Sequence, residues 1–181
     1  MRIIGGKYSG RMITAPSTLP VRPTTDFAKS ALFNILNNQI NFAEVNVLDL
    51  FAGIGGISLE FISRGAKSVT AIDSNVKCCA FIKETVVKLE IKNLTVLKAE
   101  VFNYLKSCTS RFDIIFADAP FDMATTDAIA DLVFDNNLLK ENGILIIEHQ
   151  SKRKLQSKIE PTEIRKYGNC AFTFYSRKND V

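Results

Sequence analysis

Between residues 46 and 148, five short apolar runs alternate with stretches of helical periodicity. The runs are Asn46–Phe51, Ser68–Ile72, Leu94–Lys98, Phe112–Ala117 and Gly143–Glu148. Helical patterns begin at Gly56–Ser63 and fill Ser74 to about Leu89, Phe102–Ser107 and Thr125–Phe134. Strands that are apolar on both sides of the pleat must be covered on both faces, and helical crossovers supply that cover. The pattern therefore predicts an α/β chain with a mostly parallel sheet and helices on both faces. Two last runs, 163–167 and 171–175, are joined across Gly168-Asn169, too few residues for a crossover, and predict a C-terminal antiparallel strand pair. A chain of 181 residues with 46% hydrophobic and 23% charged content can bury one full core. Nothing in it approaches the roughly 20 apolar residues of a membrane span. Met1–Gly6 has no apolar leader region, so a cytoplasmic location is expected.

Residues 1–24 read as an extension to the domain that occupies 25–181. Ile3-Ile4 and Met12-Ile13 flank the glycine-rich Gly5–Gly10, which predicts a small β-hairpin. Pro16, Pro20 and Pro23 then mark an extended linker. The segment is too short to hold a core and should lean on the main domain. It carries Arg2, Lys7, Arg11 and Arg22 with no acid, a set suited to phosphates or to a solvated face. A second basic group, Lys152, Arg153, Lys154 and Lys158, lies near the other end. A helix follows the linker to about Leu36, with Thr25 or Asp26 as its N-cap. Of the four cysteines, Cys78 and Cys79 are adjacent and Cys108 and Cys170 stand apart, so no metal-ligand spacing arises. Small buried thiols are expected, and no metal.

In an open parallel sheet, ligands bind beyond the carboxyl ends of the strands, and unusual residues fall there. The first run continues into Asp49-Leu50-Phe51-Ala52-Gly53-Ile54-Gly55-Gly56, whose glycines let the backbone turn sharply and approach a ligand. Asp73, twenty residues after Gly53, stands where an acid accepts hydrogen bonds from ribose hydroxyls, with Ser74 beside it. Glu100 and the Val101 amide can approach an adenine edge. A dinucleotide fingerprint would place a third glycine at Ser58, and no Gly-Lys-Ser/Thr phosphate loop exists. An acid beside the loop suits a methionine ammonium, so S-adenosylmethionine is the expected ligand; the loop taken alone could be a tight turn. The fourth run ends in Asp118-Ala119-Pro120-Phe121. These residues can hold a planar amine through a carboxylate, a main-chain carbonyl and a ring to stack on, which points to methylation of an exocyclic amine on a base. Glu148-His149 closes the fifth run, either as a solvated strand end or as lining of the base pocket.

Four motifs in order resemble the RsmD-type 16S rRNA guanine-N(2) methyltransferase family over nearly the whole chain. Arg2–Gly6 through Gly10-Arg11 is similar to its opening. Arg22-Pro23-Thr24-Thr25-Asp26 with Leu32–Leu36 resembles its RPTxD and LFNxL motifs, Asp49–Gly55 its cofactor loop, and Asp118–Phe121 its DPPF. The resemblance implies a class I, Rossmann-like methyltransferase fold using S-adenosylmethionine. It implies a target guanine in small-subunit ribosomal RNA, free or within an assembling subunit, and an N-terminal hairpin that holds the RNA. By position it makes Thr24 and Thr25 cofactor contacts, although both also suit helix entry. Ala119 departs from the family's proline, and Phe27 and Ser30 stand where charged side chains are common. Methylation of an adenine amine in DNA or RNA, or RNA binding without turnover, are the other functions these residues allow.

Overall fold

The computed structural model describes residues 1–17, 19, 25–120 and 124–177. Strands β1 (Asn46–Leu50), β2 (Ser68–Asp73), β3 (Leu94–Lys98), β4 (Phe112–Ala117), β5 (Leu139–Gln150), β6 (Glu163–Tyr167) and β7 (Cys170–Ser176) form a seven-stranded sheet. The order is β3-β2-β1-β4-β5-β7-β6, with parallel pairing through β5 and antiparallel pairing of β7 to both neighbours. The helices are α1 (Asp26–Asn37), α2 (Gly56–Ser63), α3 (Val76–Lys88), α4 (Val101–Ser107) and α5 (Ala128–Asp135). The mostly parallel sheet is the one predicted by the strand and helix pattern, and the architecture is the class I methyltransferase fold that the resemblance implies.

Alternation along the strands builds two cores. Val47, Val69, Ala71, Ile114, Phe116 and Ile146 join residues of α1, α2 and α3 on one face. Leu48, Leu50, Ile72, Ile115, Ala117, Leu145 and Ile147 join α4 and α5 on the other. A step of one residue moves a side chain between these faces, so the register is strongly specified. The crossovers reverse direction between β1 and β4, which makes the carboxyl ends of those strands the switch point of the sheet.

β5 is twice as long as the apolar run that announces it. The run begins only at Gly143, yet the strand already starts at Leu139, with Asn142 at positive φ and a register shift between Phe112 and Ile114. A Cβ on Gly143 would sit 2.9 Å from the Lys140 carbonyl oxygen and 3.0 Å from that of Phe112, so the glycine marks a bulge with close backbone approach. The helix expected from Thr125 is also divided, into a short 3-10 turn (Ala124–Asp127) followed by α5.

The N-terminal hairpin reduces to one antiparallel bridge, Arg2 to Met12, flanked by backbone bonds from Ile3 to Arg11 and from Ile13 to Met1. It leans on the domain as its length requires, and Ile3, Tyr8 and Ile13 enter the first core. Gly6 has φ +76°, and a Cβ there would lie 1.9 Å from the Ser63 carbonyl oxygen. That approach lets Lys7 N–H reach the same carbonyl at 2.7 Å, and Tyr8 N–H reaches the Ser63 hydroxyl at 2.9 Å. The hairpin is therefore fastened to the end of α2. Among the described residues no helix is long and apolar enough to cross a membrane.

Candidate active site

After β1 the backbone turns through Phe51 (φ 61°), Gly53 (φ 54°) and Gly55 (φ 79°) before α2 begins. Positive φ is easy for glycine but strained for phenylalanine, and such strain collects at ligand sites. Two carboxylates hold this loop. Asp49 is 2% exposed, and its Oδ2 accepts bonds from the Ser58 amide at 3.0 Å and from the Ser58 hydroxyl. The serine at the place of a third glycine thus ties β1 to the first turn of α2, a partnership not visible from spacing. Asp73 accepts the Gly53 amide at 2.7 Å through Oδ2 and the Asn75 amide at 2.8 Å through Oδ1. The interval of twenty residues is spanned by a direct bond.

Burial pushes the Asp49 carboxyl up to about 7; its bonds from Ser58 oppose the rise, and the charges of Asp118 and Asp73 add to it. A folded carboxyl that keeps its proton above its unfolded value near 3.8 weakens the fold as pH climbs toward 7. Asn at this position can still accept from Ser58 and never ionises. The Tm difference between Asp49→Asn and wild type should move in the variant's favour from pH 4 to pH 7 and then level. Thermal unfolding across that range checks this, and a difference flat in pH would contradict it.

The remaining expected cofactor residues surround the loop. Glu100 is the N-cap of α4, accepting the Phe102 amide at 3.1 Å and the Asn103 amide at 2.8 Å. Val101 is buried, Ala52 is buried below the loop, and Ser74 is exposed beyond β2. The Phe51 and Phe102 rings meet edge to face at 6.4 Å. Of the two possible caps of α1, Thr25 takes the role, its hydroxyl accepting the Ala28 amide at 3.2 Å. Thr24, Arg22 and Phe121 lie outside the described residues.

The register gathers the acids. Ile72, Leu50, Ala117 and Ile147 lie in one row across four strands. One residue further on, Phe51 turns at positive φ and packs against the second core, while Asp73, Asp118 and Glu148 lie on the face of the first because the neighbours before them face the second. Asp49 lies two residues back on that same face. Asp118 therefore stands across the switch point from the glycine loop and beside Glu148. Ala119 is buried in the second core and Pro120 is exposed.

Glu148 and His149 point opposite ways. His149 is buried, with Nδ1 2.9 Å from the Gln150 carbonyl and Nε2 2.7 Å from the Thr173 hydroxyl. Burial lowers its pKa, so it is neutral, donating from Nδ1 and accepting at Nε2. It belongs to the packing between β5 and β7. All four cysteines are free thiols.

In the basic extension, Arg2 pairs with Asp26 at 3.4 Å. Lys7 and Arg11 lie over the Tyr8 ring at 5.1 and 5.6 Å from its centre. Sequence reasoning missed Glu60 and Lys29, which are 0% and 1% exposed. Glu60 accepts the Ile4 and Gly5 amides at 2.9 and 2.8 Å, pairs with Arg64 at 3.0 Å, and lies 3.8 Å from Lys29. The available signal was an acid set within the apolar run Ile57–Ser63.

Comparison with known proteins places the chain in a family. The family model described as Conserved hypothetical protein 95 matches residues 1–176. The Ribosomal RNA small subunit methyltransferase D of Buchnera aphidicola subsp. Baizongia pistaciae is 35% identical over 151 residues, 83% of this chain and 76% of that protein. Its counterpart in Haemophilus influenzae is 34% identical, covering 86% and 81%. Among solved structures, the yhhF methyltransferase candidate of Escherichia coli superimposes with a TM-score of 0.84 at 27% identity, over 98% of this chain and 97% of that one. With the family model spanning nearly its whole length, the chain belongs to the Conserved hypothetical protein 95 family, the RsmD family that its four motifs resemble.

Proposed function

We propose that this protein transfers the methyl group of S-adenosylmethionine to the exocyclic N2 amine of a guanine in small-subunit ribosomal RNA. The carrying observation is the alignment of Asp73, Asp118 and Glu148 one residue beyond a common row, with the glycine loop at the switch point between them. Its relatives named Ribosomal RNA small subunit methyltransferase D support ribosomal RNA as the acceptor. Residues 25–181 form the transfer domain in this reading, and residues 1–24 the extension that holds RNA.

The donor set fits an adenosyl ligand with a methionine ammonium. Asp49 is a buried carboxyl that a cation would favour in its ionised form. Asp73 already binds one amide at each oxygen, and each oxygen keeps a second lone pair for a ribose hydroxyl. The Gly53 and Gly55 backbone admits close approach, Phe51 and Phe102 would wall the adenine, and Glu100 with the Val101 amide would meet its edge. Thr25, Ala52 and Ser74 complete the lining, and the motif assigns Thr24 to the same ligand. Bound there, S-adenosylmethionine would supply an electrophilic methyl to the amine, with the thioether as leaving group and a proton lost from the nitrogen.

The chain's own part is to position the base. A flipped guanine gives its exocyclic hydrogens to Asp118 and to the Ala119 carbonyl, which turns the nitrogen lone pair out of conjugation and toward the methyl. Pro120 limits the turn, and the motif assigns Phe121 the stacking face, worth about 1–3 kcal/mol. Alignment of reacting atoms supplies several kcal/mol of the barrier. Asp118 or water takes the released proton.

The test is transfer of tritiated methyl from S-adenosylmethionine to ribosomal RNA, followed by mapping of the labelled base. Label on N2 of a guanine supports the reading. Label on an adenine amine, or cofactor binding with no transfer, refutes it. Lys7 and Arg11 serve the RNA backbone together with Arg2 of the same extension, and the sequence assigns Arg22 to the same role. Replacing both Lys7 and Arg11 with alanine should weaken binding uniformly across RNA sequences and flatten the salt slope by about 2 on logarithmic axes. Filter binding at several salt concentrations measures it, and an unchanged slope would remove these residues from the interface.

A further inference from the structure

Glu148 has the environment of a ligand-binding acid rather than of a packing residue. It is 6% exposed, its Oε1 accepts a weak bond from the Cys170 thiol at 3.3 Å, and its Oε2 is buried with no hydrogen-bond partner among the described residues. A buried oxygen without a donor is unfavourable unless something else supplies one, so such a group in a native fold calls for an explanation. It sits beside Asp118 on the adjacent strand, on the same face, with strands about 4.8 Å apart. Two neighbouring acceptors aimed across one strand spacing match two neighbouring donors on a ligand.

Guanine carries such a pair on the edge that an unstacked base presents: the ring N1–H beside the exocyclic N2 amine. Adenine sets a bare ring nitrogen beside its amine, which two acceptors cannot satisfy. We propose that Glu148 accepts the N1–H of the target base while Asp118 accepts its amine, so that the two acids together select guanine. The inference rests on the function proposed above and adds the residue that reads the base.

The ionisable groups acting on Glu148 are Asp118 from β4 and Cys170 from β7. Burial first, and then the charge of Asp118, push its carboxyl up to about 8, with the Cys170 bond opposing. The ionised form is the stronger acceptor for N1–H. Thus kcat/KM should rise with pH through about 8 in the wild type.

The probes are an RNA fragment carrying the mapped guanine and the same fragment with 2-aminopurine there, which keeps the N2 amine and lacks N1–H. Wild type should prefer guanine. Glu148→Leu should lose about 10- to 100-fold in kcat/KM on guanine, the range of a hydrogen bond to a charged group, and lose the preference. Its Tm should hold or rise, because an apolar side chain relieves the unpaired oxygen. Glu148→Gln, which keeps the shape, should abolish the rise of kcat/KM through pH 8 and narrow the gap between the two bases. Unchanged kcat/KM and preference in Glu148→Leu would overturn the inference while leaving the guanine reading intact. If Glu148→Leu does not fold, an unaltered pH profile in Glu148→Gln overturns it alone. Wild-type label on adenine, or none on any RNA, overturns both.

Discussion

Asp118→Ala should lower methyl transfer by about 10²- to 10⁴-fold, the range for a positioned proton-accepting group, while leaving affinity for S-adenosylmethionine close to wild type. Asp118 follows the buried end of β4, across the switch point from the glycine loop, and in the proposed function it meets the base rather than the adenosyl group. Its charge also raises the carboxyls of Asp49 and Glu148. Removing it should therefore lower both, which separates the variant from one that merely unfolds. Isothermal titration with the cofactor and tritium transfer to ribosomal RNA measure the two halves. Wild-type turnover in the variant would sink the catalytic assignment.

A second large effect is expected far from the chemistry. Glu60→Ala should destabilise the fold by about 3–5 kcal/mol, the usual result of stranding a buried charge. At about 2–4 °C per kcal/mol for a chain of this size, Tm falls by on the order of 10 °C. Lys29 stays buried and loses a partner at 3.8 Å, Arg64 loses its carboxylate, and the Ile4 and Gly5 amides lose their acceptor. Burial already lowers the Lys29 pKa and Glu60 opposes that, so without Glu60 it should fall further. The hairpin should then become the first site of proteolysis, and RNA binding should weaken. An unchanged Tm would mean that the Glu60 network carries no net stability.

Much of this was legible from residue order. Apolar runs at the spacing of strands, with helical periods between them, specify a two-faced sheet because nothing else buries both sides. The glycines at 53 and 55 and the acid at 73 announced the loop because few other structures need that combination at that interval. Other features were silent in one dimension. The first residues of β5, Lys140–Gly143, are polar or glycine, and only the bulge against Phe112 makes them strand. Glu100 and Thr25, marked for the cofactor, are also the caps of α4 and α1, since a side chain at a strand end is also the first acceptor for the next helix.

By itself the sequence determined the fold class, the order of the strands along the chain and the glycine loop, because each depends on local spacing and backbone freedom. The tertiary structure alone decided which acids become neighbours. Strand order and register put Glu148 beside Asp118 and send His149 to the opposite face, although the two are adjacent in the chain. Folding alone also sank Glu60 and Lys29 beneath the hairpin, where a surface-looking pair becomes the fastening between extension and domain. Burial changes what a carboxyl does, and burial is a property of the packed chain.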